Sequence, residues 1–425
     1  MIRSIWNRPN AGLAWALCCG VGLLLAAPSL AAAESETKKP GLASQIKLDW
    51  LFQATGYLTT SKLLGSSDVL GGNGSVVAAP VVQFTPDKAL ILLYSGSYRK
   101  SKQVYAEDEG PKLFSEEQLH SFAPTFRYAW SPKLVLSPSL LYTDSRLKET
   151  SDDSWSSGLY NYREEGGGLN AEYTLKAGAA GQNLLAAGVQ RFDRTYPNFH
   201  SLASLAGIPF EENEKDFTGT LVSVAYNQVR ARGLSSKTSL SYLDKDYDDK
   251  LVESPTGERF NDRQHDSVVT LGEELLWHAA GPWGYSLAGA VAVTDSNQNL
   301  AEGAFPFVTF QPDYYSSKSF TLSPGITYTQ PLAGERSITY GAIYAVTRLG
   351  YDSRRAADQN GNLLGDKEVD WTHDFTLRAV YTLDKHWSFG AIAEYTRAAS
   401  NMKDERIFRY DYEILNLSGG FSFRY

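Results

Sequence analysis

The chain has 425 residues, with 40 basic side chains against 48 acidic ones and a formal charge of −8. That acidic balance, with no basic patch interleaved with aromatics, argues against a nucleic-acid partner. Both cysteines, Cys18 and Cys19, fall inside an apolar N-terminal run. If that run is removed, no disulfide framework, thiolate metal site or cysteine nucleophile remains.

Arg3 and Arg8 precede the apolar run Ala11–Ala27, which is followed by P-S-L-A-A-A-E. This is the layout of a secretory signal, and the small residues place cleavage after Ala33. Residues 1–33 are thus expected to be a signal peptide, 34–44 a short periplasmic segment and 45–425 one body. The mature chain would keep 392 residues and a charge of −10. It has no run of about 18 apolar residues, so no membrane helix is expected. Crossing as a closed barrel stays open, because there every backbone group is paired between strands.

The chain then alternates with period two. Ile46, Leu48, Trp50, Phe52 and Ala54 share one face of the first segment, with Lys47, Asp49, Gln53 and Thr55 on the other. Phe122 to Trp130, Phe320 to Tyr328 and Trp371 to Leu383 repeat the pattern. One face wants hydrocarbon and the other wants water, as in a transmembrane strand. Three segments, 122–128, 136–142 and 322–328, share apolar-x-Pro-x-apolar-x-Tyr; each proline is expected at a bulge or near a strand end.

Short turns are predicted at 86–88, 131–133, 177–181, 232–235, 281–284, 332–336 and 384–385. Between them come polar loops near 61–74, 103–118, 147–160, 197–216, 250–265, 298–316, 353–369 and 400–406. Short turns alternating with long loops is the asymmetry of an up-and-down antiparallel transmembrane β-barrel, with periplasmic turns and extracellular loops. The fold class is therefore all-β, a barrel of about 16 strands, with 14–18 allowed. Trp130, Trp277, Trp283 and Trp387 flank short turns and predict one aromatic girdle; Tyr57, Tyr98, Tyr142 and Trp371 predict the other. Gly71-Gly72-Asn73-Gly74 falls in a predicted loop with no helix after it, so it reads as a turn rather than a phosphate cradle.

The last stretch, L-N-L-S-G-G-F-S-F-R-Y, puts Leu415, Leu417, Gly419, Phe421, Phe423 and Tyr425 on one face. It resembles the closing strand of Gram-negative outer-membrane β-barrels (porin-like proteins). The resemblance implies pairing with the first strand, residence in the outer membrane, and contact with outer-membrane lipid. It also implies Phe421, Phe423 and Tyr425 as the signal read by the barrel-assembly machinery. Porin-like trimers are common in such barrels, so a homo-oligomer is allowed. Upstream, Tyr410, Tyr412 and Ile414 are out of phase with Leu415, which predicts a β-bulge there.

The expected inner face is of mixed charge. Lys47, Arg99, Arg127, Lys176, Lys237 and Arg378 are balanced in part by Asp49, Glu172, Asp374 and Glu394. The loops form an acidic rim. Two of them, 197–216 and 298–316, are apolar enough to fold into the mouth and set its size. The expected function is a pore for passive diffusion of small polar solutes. The alternatives are an export conduit for a polymer such as an exopolysaccharide, working with periplasmic secretion partners, and a structural or adhesive surface barrel.

No enzyme and no cofactor is expected. None of the six histidines has metal-ligand spacing such as H-E-x-x-H. In His265-Asp266 and His373-Asp374 the neighbours point to opposite faces of a strand, so neither pair can act as a dyad. D-K-D-Y-D-D-K at 244–250 lacks the glycine and the glutamate of a calcium loop.

Overall fold

The computed structural model describes residues 47–63, 69–102, 114–148, 154–178, 181–199, 213–230, 233–279, 281–302, 309–404 and 410–425. The expected signal peptide and the whole 34–44 segment after it lie outside the described residues. The strands are β1 (Lys47–Leu63), β2 (Val69–Thr85), β3 (Lys88–Lys102), β4 (Phe114–Ala129), β5 (Leu134–Lys148), β6 (Tyr162–Gly178), β7 (Gly181–Thr195), β8 (Phe217–Arg230) and β9 (Leu234–Glu253). There follow β10 (Arg259–His278), β11 (Trp283–Ser296), β12 (Leu300–Glu302), β13 (Thr309–Gln311), β14 (Ser317–Pro331), β15 (Ser337–Ala357), β16 (Leu363–Thr382), β17 (Trp387–Ser400) and β18 (Tyr412–Arg424). All but β12 and β13 pair neighbour to neighbour into one closed antiparallel barrel of sixteen strands, β1 sealed against β18. β12 and β13 form a separate hairpin within the connection from β11 to β14.

The two faces of the wall are distinct. Leu58, Leu140, Leu169, Val189, Leu240, Leu271, Val291, Phe320, Leu377 and Phe421 are all exposed large apolar side chains. Carried through the register, they share the outer face. The opposite face carries hydroxyls that bond across strands: Thr55 to Ser75 (2.6 Å), Thr59 to Ser418 (2.9 Å), Thr143 to Ser121 (3.3 Å) and Thr321 to Thr347 (3.0 Å). An apolar exterior over a polar interior inverts a soluble protein, and it is the solution lipid demands. The chain is an outer-membrane β-barrel.

All seven short turns fall where they were expected, and Trp130, Trp277, Trp283 and Trp387 are exposed beside them. In the other girdle Tyr98, Tyr142 and Trp371 face outward. Tyr57 does not. It shares the inner face with Thr55 and Thr59, and its ring lies against the backbone of Gly420.

Three predicted loops are shorter than expected. β1 and β2 run to Leu63 and from Val69, so Gly71 to Gly74 is strand rather than turn. β9 and β10 leave only 254–258 between them, and β15 and β16 only 358–362. These last four strands have 20 or 21 residues, about twice what crossing a membrane needs. Their upper halves rise beyond the apolar band, where the outer face meets water and the inner face packs charged and aromatic side chains, so the alternation that marks a strand is lost there and polar residues read as loop.

The closing strand also corrects an expectation. β18 pairs with β17 from Tyr412 to Phe423 and with β1 from Ile414 to Arg424 without a register shift. Tyr412 and Ile414 face inward, in step with Ser418, so no bulge is needed. Tyr410 precedes the strand and is buried with Ala357 and Met402. The prolines differ too. Pro80, Pro124, Pro138 and Pro324 are mid-strand, each beside a short gap in one ladder across which the register resumes unchanged. The missing N–H costs a pair rather than a bulge.

Candidate functional site

The inner wall is where a solute could meet the protein. Nine of the ten charged positions read from the sequence map to it through the register: Lys47 and Asp49 on β1, Arg99 on β3, Arg127 on β4, Glu172 on β6, Lys237 on β9, Asp374 and Arg378 on β16 and Glu394 on β17. Lys176 is the exception. A register shift at Leu175 pairs it with Asn183, an outward position at the periplasmic edge. Two of the nine stand opposite a charged partner, Arg99 across from Glu117 and Lys237 across from Glu274. Opposite charges at facing positions offset each other. The Asp374 carboxylate accepts from the Thr396 hydroxyl at 2.5 Å.

Between these charges the middle of the wall is rich in small and hydroxylated residues, with Leu93, Leu141, Leu221, Leu243 and Val268 among them. Ser95, Ser121, Ser139, Ser223, Ser239, Ser241, Thr270, Ser319, Thr321 and Thr347 are inner-face positions, interspersed with Gly168, Gly188, Gly272 and Ala290. Such a surface is wettable and leaves the bore wide.

Toward the loops the inner wall changes character, and sequence reasoning missed this part. Arg194 of β7 bonds one carboxylate oxygen of Glu164 on β6 through Nε (3.0 Å) and Nη2 (2.5 Å). Its guanidinium lies over the rings of Tyr162 (4.4 Å) and Phe217 (5.3 Å). Phe192 packs edge-on to Phe217, which meets Tyr247 of β9 in turn. Phe192 fits because Gly219 faces it: a Cβ there would lie 2.7 Å from a ring carbon. Lys245 covers Phe217, and Lys250 reaches the rings of Tyr247 and Tyr315. Tyr247 donates to Asp266 (3.1 Å), which also accepts from the amide of Gln264 (2.9 Å). Gln264 is 1% exposed, so this is a packed layer and not a wet surface.

A second cluster completes the mouth. Arg354 of β15 is 2.7 Å from the carboxylate of Glu368 on β16, stacks on Tyr314 (4.9 Å) and Tyr351 (4.7 Å), and donates to the Tyr410 hydroxyl (3.1 Å). Tyr314 belongs to the connection before β14 and Tyr410 to the one before β18. One guanidinium thus ties two loops to the wall. The described part of 298–316 therefore packs on inner-face residues. Of 197–216, residues 200–212 lie outside the described residues.

Lys215, on the connection before β8, lies over Phe199 (5.0 Å) and Tyr160 (5.7 Å). Burial, and then the charge of Lys250, bring its pKa down to about 7. Folding therefore favours the neutral amine. The unfolded segment binds the extra proton between pH 7 and the ordinary lysine range, so docking of this segment strengthens as pH rises from about 7 toward about 10.5 and is flat below about 7. Proteolytic nicking at 213–216 should fall between neutral and alkaline pH, and Lys215→Met should remove the dependence.

Among the described residues, one group could hold a metal: Asp244, Asp246 and His265 bring ligand atoms within 4.8 Å of one another. It sits on the outer face, and His265 bonds Asp246 at 2.8 Å while Asp266 points inward. The sequence signal was the i, i+2 pair of aspartates; the histidine comes from the next strand.

No protein-family model and no curated protein matches the chain. Solved structures do. The trimer form of OmpT, an outer-membrane protein of Vibrio cholerae, is 9% identical over 89% of this chain and 99% of its own, with a TM-score of 0.45. OccAB1 of Acinetobacter baumannii is 12% identical over 89% and 96%, at 0.43. A bacterial polysaccharide outer-membrane secretin is 10% identical over 88% and 98%, also at 0.43.

Proposed function

We propose that the protein is an outer-membrane pore through which small polar solutes diffuse passively. The observation that carries this reading is the middle of the inner wall, rich in serine, threonine, glycine and alanine, with charges of both signs set among them. A sixteen-stranded barrel is wide enough to keep an aqueous channel inside. The mouth layer from Tyr162 to Arg354 narrows the entrance and selects by size. In the same reading the nine inner-face charges line the path, and Phe421, Phe423 and Tyr425 are the outward signal for assembly.

The refolded protein in a planar lipid bilayer should give discrete conductance steps. Gly219→Val, which displaces Phe192 from its bed, should change the step size severalfold while the barrel still resists unfolding in detergent. Silence at every voltage would remove the proposal.

A further inference from the structure

The outer wall should be apolar up to the level where headgroups begin, and on β14 to β1 it ends in a distinct chemical patch. Arg397 on β17 is an outward residue ten positions beyond Trp387 of the periplasmic girdle. At ~3.3 Å per residue and the usual tilt, that is about 25 Å, the height of the apolar band. Trp371 of β16 and Arg348 of β15 reach the same level, since Arg348 pairs with Trp371 and Trp371 with Ala399.

These residues form a shallow cleft open to the outside, lined by Trp371, His373, Tyr395, Arg397 and Ala399. Arg348 closes one side, its guanidinium 5.9 Å from the Trp371 ring centre. Trp371 and His373 are stacked at 13° and give the cleft a flat floor. His373 is held there by the Tyr344 hydroxyl, 2.7 Å from Nδ1. At this level the sector carries four outward cations, Lys62, Lys318, Arg348 and Arg397, against Asp352 and Glu413. Arg397 is 3.7 Å from Glu413 and its side chain is 63% exposed, so its donors are not used up. Elsewhere around the wall, β9 and β10 present Asp244 and Asp246 beside His265.

We infer that this cleft binds one phosphorylated glycolipid of the outer leaflet. Planar guanidinium groups match phosphate oxygens two at a time, and flat aromatic faces suit the apolar face of a sugar ring. The position decides the source of the phosphate. The cleft opens sideways at the edge of the hydrocarbon, where a lipid headgroup is held in place and a free anion is not. An acidic sector such as that around Asp244 repels the same headgroup, so the lipid is not held there.

The full-length mature protein is reconstituted in nanodiscs of phosphatidylcholine doped with a bis-phosphorylated acylated glucosamine disaccharide, and retained glycolipid is measured by native mass spectrometry after extraction. The wild type is expected to keep the glycolipid, and R348Q/R397Q to lose it by at least about tenfold. R146Q, an outward arginine already paired with Asp144 (2.8 Å), should behave as wild type. Equal retention by the double variant overturns the inference. So does equal retention of the dephosphorylated glycolipid by the wild type, a measurement that needs no variant to fold. Displacement by millimolar inorganic phosphate would show a free-anion site and also overturn it.

Discussion

Gly420→Val leaves the barrel unclosed. Gly420 is an inner-face residue of β18, opposite Tyr57 of β1 and Gly390 of β17. A Cβ at this position would collide with the carbonyl oxygen of Gly56 and come within 2.7 Å of the Tyr57 ring. The ring could swing away; the carbonyl belongs to the ladder and cannot. Relief requires the β1–β18 seam to part, and this seam alone joins the two ends of the sheet. A parted seam exposes two rows of unpaired N–H and C=O groups to lipid, several kcal/mol for each group left unsatisfied. The variant should therefore run as unfolded protein on unheated gels and accumulate little in the membrane. Two neighbours serve as controls. A Cβ at Gly419 meets nothing within 4 Å, and one at Gly390 makes only ordinary contacts, the nearest with the Tyr57 hydroxyl at 3.5 Å. G419A and G390A should assemble normally, and failure of either would move the cause away from the seam.

The seam also shows what the sequence could and could not reveal. The alternation of Leu415 to Tyr425 is a property of neighbouring residues, and it correctly set this strand against the first. That Tyr57 faces inward is settled by its phase with Thr55 and Thr59, and it was misread because a tyrosine near a strand end suggests a girdle. Period-two patterning is reliable only where one face meets hydrocarbon. Above the membrane, in β9, β10, β15 and β16, neither face meets hydrocarbon and the strands read as loops. The mouth was missed for a different reason. Glu164 and Arg194 are 30 residues apart, and Lys245 meets Phe217 across another hairpin. Their local signals were aromatic and charged residues two apart on the inner phase: Tyr162 with Glu164, Phe192 with Arg194, Lys245 with Tyr247. An inward aromatic next to an inward charge is an unusual pair for a plain water-filled wall. It marks the level where loops pack inside.

The energetics of that level concentrate on Arg354. Glu368 is fully buried and Arg354 nearly so, so the pair has given up its hydration and depends on its own geometry. Removing one partner strands the other. Arg354→Met should cost about 3–5 kcal/mol locally, the range for a buried charge that loses its counter-ion. It also withdraws the donor from Tyr410, whose phenol is pushed up to about 12, chiefly by burial, and so stays neutral at any pH the membrane tolerates. The connections before β14 and β18 would then both come away from the wall. The expected results are faster proteolysis at these two loops and a larger, noisier conductance, with the barrel below still resistant to detergent unfolding. Arg354→Met with Glu368→Leu separates charge from packing. An apolar pair of similar volume has no buried charge to satisfy, and such exchanges are often neutral or stabilising. The double variant should therefore recover most of the loop protection that the single variant loses. If it recovers none, the loops are held by the stacking of Tyr314 and Tyr351 on the guanidinium, and Arg354→Lys would then fail as badly as Arg354→Met, because an ammonium lacks the flat face those two rings share.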